Sequence, residues 1–261
     1  MKINKARYLA HYGKQLLTGA LTINSSLISS GSRGFMAGVA DLLLNLVDRR
    51  HLRYCNICGW EGSRFIVNAG SGYFVRHDMC PSCGEIGRYR MLYSLVTPSL
   101  SDGMTVLEIG PNRAFGHAIF ERFPITYLCS DLSDRRANLR MDLTAMAFAD
   151  NSFDIVLCMH VLEHIPDDHA AMSELFRILK SSGVLYAQVP MSGEHRTIEY
   201  GFFNPHDNWH VRIYGTDFAN RLADAGFQVH PVLPHDLFDV AEMERLCVKN
   251  EHLPIFKCTK R

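Results

Sequence analysis

From residue 105 onward, short apolar runs alternate with segments of helical period, a pattern that restricts the fold more than any other feature of this chain. Strands are expected at 105–109, 125–130, 138–141, 153–159, 183–190, 227–232 and 255–259. Helices are expected near 115–123, 169–180 and 216–225. The helix over 169–180 should end at "KSSG", with Lys180 near its negative end and Gly183 beyond it. Such alternation builds a parallel sheet wrapped by helices, so residues 101–261 read as one α/β domain. Open sheets of this kind bind ligands at the carboxyl ends of their strands.

The first strand runs into "VLEIGPNRAFG", Val106 to Gly116. A nucleotide loop here is usually richer in glycine, but only Gly110 and Gly116 are present. Asn tolerates the left-handed conformation better than other non-glycine residues, so Asn112 is expected in or near a left-handed turn, with Glu108 facing an open pocket. Asp131 ends the second strand, 21 residues after Gly110. A carboxylate there suits two ribose hydroxyls, because it accepts two hydrogen bonds. Asp142 follows the third strand, and "FDIVLCMHVLEHIPDD" spans the fourth strand and its loop.

Residues 51–92 carry "CNICG" and "CPSCG", two C-x2-C pairs with 21 residues between them. That spacing lets Cys55, Cys58, Cys80 and Cys83 meet one tetrahedral ion, and Gly59 and Gly84 allow the tight turns behind them. The expectation is a zinc ribbon with a structural Zn2+, since four sulfurs leave no open position; a disulfide or redox pair is the competing reading. His77 lies nearby as a bystander. Of the other cysteines, three fall in apolar strands and read as core. Eight cysteines used in this way suit a reducing cytoplasm.

Residues 1–50 read as a separate helical segment. Apolar residues at 35, 36, 39, 42, 43, 46 and 47 give one helical face, expected to pack on the main domain, with a dimer or membrane-surface helix as alternatives. No secretory signal or membrane-spanning run is evident. Residues 1–100 hold 12 Lys and Arg against 5 Asp and Glu, while residues 101–261 hold 15 against 22. The basic first part could face RNA, an anionic membrane or an acidic partner, or be an ordinary solvated surface.

In this order, "VLEIGPN", "SDLS", "MDLTAMAFADNSFDIVLCMHVLEHIPDD", "ELFRILKSSGVLYAQVP" and "HVRIYGTDFANRLADAGFQV" resemble class I S-adenosylmethionine-dependent methyltransferases of the type 11 kind, over residues 105–261. The resemblance implies a Rossmann-like, seven-stranded sheet with its last strand antiparallel. It implies that Glu108 and Gly110 line the methionine part of the cofactor and that Asp131 holds the ribose, with Leu132 beside the adenine. Asp142 and Leu143 would meet the adenine edge, and Met159 and His160 would close the pocket. Asn112 stands where the family has glycine, as does Ala114. S-adenosylmethionine carries no pyrophosphate, so the loop needs a tight turn rather than a bare backbone, and Asn112 counts among the cofactor residues. The ribbon in front resembles methyltransferases found with cell-surface polysaccharide genes.

Methyl transfer is an in-line displacement, helped by positioning and, for a hydroxyl acceptor, by a base. His160, ending the fourth strand, and His210, in "NPHDNWHVRIYG", are the candidate bases. His164 reads as fastening its loop. His210 and Arg212 read equally well as structural. Tyr200, Phe202, Phe203 and Trp209 could stack on a ring acceptor or pack as a lid. The expected function is O-methylation of a small molecule or saccharide. The alternatives are an RNA or protein methyltransferase gripping its substrate with the ribbon, and a non-catalytic scaffold. A dehydrogenase lacks its G-x-G-x-x-G.

Overall fold

The structure is a computed structural model that describes residues 25–261 except 49, 51, 71–72, 136, 250–252 and 261. The first half of the expected helical segment therefore lies outside the described residues. The chain divides into two units, Met1–Pro98 with Leu237–His252, and Ser99–Asp236 with Leu253–Arg261.

In the first unit, helix α1 (Ser25–Val47) is followed by two antiparallel hairpins, β1 (Arg53–Cys55) with β2 (Trp60–Gly62) and β3 (Ile66–Gly70) with β4 (Tyr73–Met79), then by helix α2 (Gly87–Val96). Within this unit α1 packs on β3, where Leu42 joins Ile66, Val67 and Met79 in a small core. Two polar residues of α1 fix that contact. Asp41 Oδ2 accepts from Val67 N at 3.1 Å, and Asn45 Oδ1 accepts from Ser63 N and Arg64 N, both at 3.1 Å. The 35–47 helix expected to lean on the main domain thus belongs to the ribbon unit. The 240–246 helix also joins this unit, although its sequence position lies within the expected catalytic domain.

In the second unit, β5 (Thr105–Ile109), helix α3 (Arg113–Arg122), β6 (Thr126–Asp131), β7 (Leu139–Arg140) and β8 (Phe153–Met159) come first. Helix α4 (Asp168–Ile178), β9 (Leu179–Gln188), an arm of β10 (Ile198–Asn204) and β11 (His210–Ile213), helix α5 (Phe218–Asp224), β12 (Phe227–Val232) and β13 (Ile255–Lys260) follow. The sheet order is β12-β13-β9-β8-β5-β6-β7. Described pairings are parallel except those of β13, which runs antiparallel to β9 and β12. Leu107, Val156, Leu185, Phe218 and Phe227 fill the core between sheet and helices. From β5 the chain adds β6 and β7 on one side and then crosses to β8 on the other. The carboxyl ends of β5 and β8 are therefore a topological switch point, where open sheets leave a crevice.

One expected boundary is corrected. Helix α4 stops at Ile178, and Leu179 already pairs with Phe153 as the first residue of β9. The carbonyls of Arg177 and Ile178 are taken by Asn151 N and Ser152 N at 3.0 and 2.8 Å, so the helix ends on the edge of the sheet rather than on a glycine cap. Lys180 is a strand residue whose Nζ meets Asp154 Oδ2 at 2.8 Å. Gly183 sits where a Cβ would lie 3.0 Å from the Asp154 carbonyl, beside the register shift between β8 and β9.

Candidate active site and metal centre

A cleft of about 480 Å3 opens at the switch point. Four chain segments line it, each following the carboxyl end of a strand: 109–111 after β5, 130–134 after β6, 141–143 with Met146 after β7, and His160 to Ile165 after β8 except Leu162 to Glu163. Its volume falls within the range of small-molecule sites.

The loop after β5 turns at Gly110, which holds φ +64° and whose Cβ would lie 2.7 Å from Val161 Cγ2. Only glycine meets both demands. Asn112 has φ −90° and ψ 111°, an extended conformation, so the expected left-handed turn belongs to Gly110 instead. Asn112 is the N-cap of α3, its side chain accepting from Ala114 N at 3.3 Å. An N-cap satisfies an otherwise orphaned helix N–H, which explains an Asn here without any contact to a cofactor.

Glu108 does not face the cleft. It is buried, with Oε1 accepting from Asn112 N at 3.0 Å and Oε2 accepting from the Tyr127 hydroxyl. Burial lifts its carboxyl from the ordinary 4.5 to about 7, while the Tyr127 and Asn112 donors pull the other way. Gly116 completes this arrangement, because a Cβ there would run into the Tyr127 ring and hydroxyl.

Asp131 and Leu132 line the cleft after β6. Asp131 Oδ1 accepts from Ser133 N and Asp134 N, both at 2.7 Å, which fixes the carboxylate in an Asx turn. Asp142 and Leu143 line it from the third segment. The Thr144 N–H and hydroxyl, at 2.8 and 2.7 Å from Asp142 Oδ1, hold that carboxyl below its ordinary value. Met159 is buried behind the cleft and does not line it.

His160 is in the cleft wall with φ +57°, a strained setting for a non-glycine residue. Its N–H donates to Gln188 O at 2.8 Å, tying the strained turn to β9. Its Nδ1 lies 3.3 Å from Glu163 Oε1, and the Glu163 side chain is only 1% exposed. His210 does not line the cleft; it is buried one layer behind, with Nε2 4.0 Å from the same Glu163 oxygen and Nδ1 3.3 Å from Asp207 Oδ2.

Sequence reasoning left Arg212 between function and structure, and its contacts are structural. The buried guanidinium donates to the carbonyls of Leu162, Ile165 and Pro166 at 3.2, 2.5 and 2.7 Å and to Glu199 Oε2 at 2.8 Å. It thereby holds the cleft loop after β8. Asp168, Tyr214 and Arg221 extend the network, with Asp168 Oδ2 accepting from the Tyr214 hydroxyl at 2.8 Å and from Arg221 at 2.9 Å. Glu163, Tyr127 and Glu199 were missed from sequence. The i, i+3 spacing of His160 and Glu163 was the one available signal.

In the first unit, Cys55, Cys58, Cys80 and Cys83 converge, with all four sulfurs within 4.8 Å of one another and no disulfide between them. The pairs Cys55–Cys83 and Cys58–Cys80 stand 3.7 Å apart. Thiolates about 2.3 Å from a tetrahedral zinc stand about 3.8 Å apart, so the centre fits that ion. Gly59 and Gly84 have φ +73° and +83°, and each donates back to the first cysteine of its pair, at 2.7 and 2.9 Å. The described side chains of this unit do not include His77.

The sheet order and the crevice at its switch point are those of a Rossmann-like α/β fold, and the four-cysteine centre earlier in the chain is fit for zinc. Residues 107–187 match the family described as "Methyltransferase domain" (Methyltransf_11). An uncharacterized methyltransferase of Mycobacterium sp. (strain KMS) is 28% identical over 104 residues, covering 36% of this chain and 41% of that protein. The sterol 24-C-methyltransferase of Pneumocystis carinii is 28% identical over 127 residues, covering 47% of this chain and 32% of its own. The chain thus spans less than half the length of these relatives. A solved structure of Burkholderia thailandensis 1,6-didemethyltoxoflavin-N1-methyltransferase with bound S-adenosylhomocysteine superposes with a TM-score of 0.47 at 18% identity, covering 66% of this chain and 77% of that one.

Proposed function

We propose that the protein transfers a methyl group from S-adenosylmethionine to a hydroxyl of a small molecule, with a saccharide or related polyol as the acceptor class. The observation that carries this reading is the His160–Glu163 pair, an imidazole in the cleft wall backed by a buried carboxylate 3.3 Å away. A buried carboxylate this close favours the imidazolium that forms when the ring accepts a proton. When bound, the cofactor supplies an electrophilic methyl group on a sulfonium. Asp131 is assigned to the ribose, since only Oδ1 is engaged in its turn and Asp131 borders the cleft. Gly110, Leu132, Asp142 and Leu143 are assigned to the remaining wall of the cofactor site. His160 takes the hydroxyl proton as the acceptor oxygen forms its bond to the methyl carbon and the S–C bond breaks.

The arm of β10 and β11 supports a ring-bearing acceptor. Phe202, Phe203 and Trp209 are exposed on it, and Arg212 anchors it to the cleft loop. Such faces stack on sugars and rings. An RNA substrate is less well supported. Arg90, one of the basic residues of the ribbon, is fully buried, with its guanidinium donating to the carbonyls of Asp78, Glu85 and Leu246.

The test is a labelled-methyl transfer assay against cell extract separated into small-molecule, RNA and protein fractions. Label is expected in the small-molecule fraction. Label in RNA or protein overturns the acceptor class, and absence of S-adenosylmethionine binding by calorimetry overturns the enzyme.

A further inference from the structure

At the cleft wall formed by His164, the buried Glu163 and His210 join it to bring one carboxylate oxygen and two imidazole nitrogens within 4.8 Å of one another. Glu163 and His164 come from the short turn Leu162–His164. His210 opens β11, which Arg212 fastens to that same turn. The convergence is thus built by the fold and does not depend on a mobile side chain meeting another.

Two independent features point to a ligand. The Glu163 carboxylate is buried, and neither oxygen has a hydrogen bond of acceptable geometry among the described residues. A buried carboxylate without donors is costly by several kcal/mol unless a cation compensates it. His210 supplies the second feature. Its Nδ1 faces Asp207 Oδ2 at 3.3 Å, and that carboxylate also accepts from the Tyr200 hydroxyl at 2.8 Å. The Asp207 contact is not a hydrogen bond, so the buried Nδ1 of His210 is, like the Glu163 oxygens, without a hydrogen bond among the described residues. The other nitrogen, Nε2, is the one 4.0 Å from Glu163.

We propose that Glu163, His164 and His210 form a binding site for a divalent transition cation, distinct from the four-cysteine centre. Ligands about 2.1 Å from an ion stand about 3–4 Å apart, so small rotamer shifts close the site. Two imidazoles and one carboxylate suit zinc, iron or manganese better than calcium, and they leave coordination positions open. Resting on the methyltransferase reading above, an open position on the side of His164, which lines the cleft, would take an oxygen of the acceptor. An acceptor with two adjacent hydroxyls fits such a centre best.

The experiment adds Co2+ alone to the full-length protein carrying its ribbon metal and follows calorimetry and visible absorption. One further equivalent per chain is expected, with ligand-field bands and no sulfur-to-cobalt charge transfer. His210→Ala and Glu163→Gln should each weaken that equivalent by at least about tenfold. His164→Ala serves as a third variant should either fail to fold, as judged by circular dichroism. Failure to take up the further equivalent, or uptake unchanged in the variants, overturns the site. S-adenosylhomocysteine binding by the wild type is measured alongside. Co2+ uptake without it supports the cation site while removing the methyltransferase reading, and the reverse result removes the cation site alone.

Discussion

Glu108 and Glu163 are both buried carboxylates in the second unit, and they are given different company. Glu108 receives two donors, the Tyr127 hydroxyl and the Asn112 N–H. Glu163 faces imidazoles. The difference gives separate predictions. Burial raises the Glu108 carboxyl from 4.5 to about 7, so the folded state holds its proton where the unfolded chain has lost it. The contribution to stability is fully present below about pH 4.5 and is lost as pH rises towards about 7, a change of about 3 kcal/mol. Urea unfolding across that range should show a steeper decline for wild type than for Glu108→Gln; parallel curves would refute the assignment. His160→Ala should lower kcat by a factor of about 10^2 to 10^4 with little change in S-adenosylhomocysteine affinity. An unchanged kcat in steady-state assays removes His160 as the base.

At the scale of elements, the cleft depends on how loops are pinned. Arg212 fixes the loop after β8 through three carbonyls, so Arg212→Ala should cost about 3–5 kcal/mol and open 162–166 to protease. Calorimetric melting and limited proteolysis read both effects, and a variant as stable as wild type contradicts the pinning. Gly116→Ala should cost about 1–3 kcal/mol by displacing Tyr127 from Glu108. Much of this scale was legible in the sequence. Strand β5 falls where apolar alternation put it, and the cysteine spacing picked out the four sulfurs that converge. What escaped depended on partners far along the chain. The "KSSG" stretch reads as a helix cap, yet β8 recruits Leu179 into the sheet first. Asn112 reads as a substitute for glycine in a turn, yet Gly110 makes the turn and Asn112 caps the helix. Periodicity separates buried faces from exposed ones, but it does not say which of several carboxylates lies at the bottom of a site. Glu163 was hidden for that reason.

At the scale of the whole molecule, the described residues divide into a unit carrying the four-cysteine centre and an α/β unit. Among them no helix is long and apolar enough to cross a membrane. A ribbon with so small a core should owe its fold to the ion. Chelation at neutral pH is expected to unfold the first unit and shift Trp60 emission to the red, since Trp60 is 4% exposed. Trp209, the only other tryptophan, is already 61% exposed and should contribute little to that shift. Unaltered emission after complete zinc removal would show that the metal is dispensable.

The 240–246 helix has one more implication. Its Glu244 carbonyl accepts from Arg53 at 2.8 Å, and its Leu246 carbonyl accepts from the buried Arg90 at 2.5 Å. The ribbon unit is therefore encoded in two pieces, with most of the α/β unit's sequence between them. A ribbon of this design cannot be gained or shed by a single gene fusion at residue 98. Recombination at that point parts Arg90 from the Leu246 carbonyl to which it donates. An engineer transplanting one unit must carry the 237–252 segment with the ribbon and rejoin β12 to β13 by a new loop.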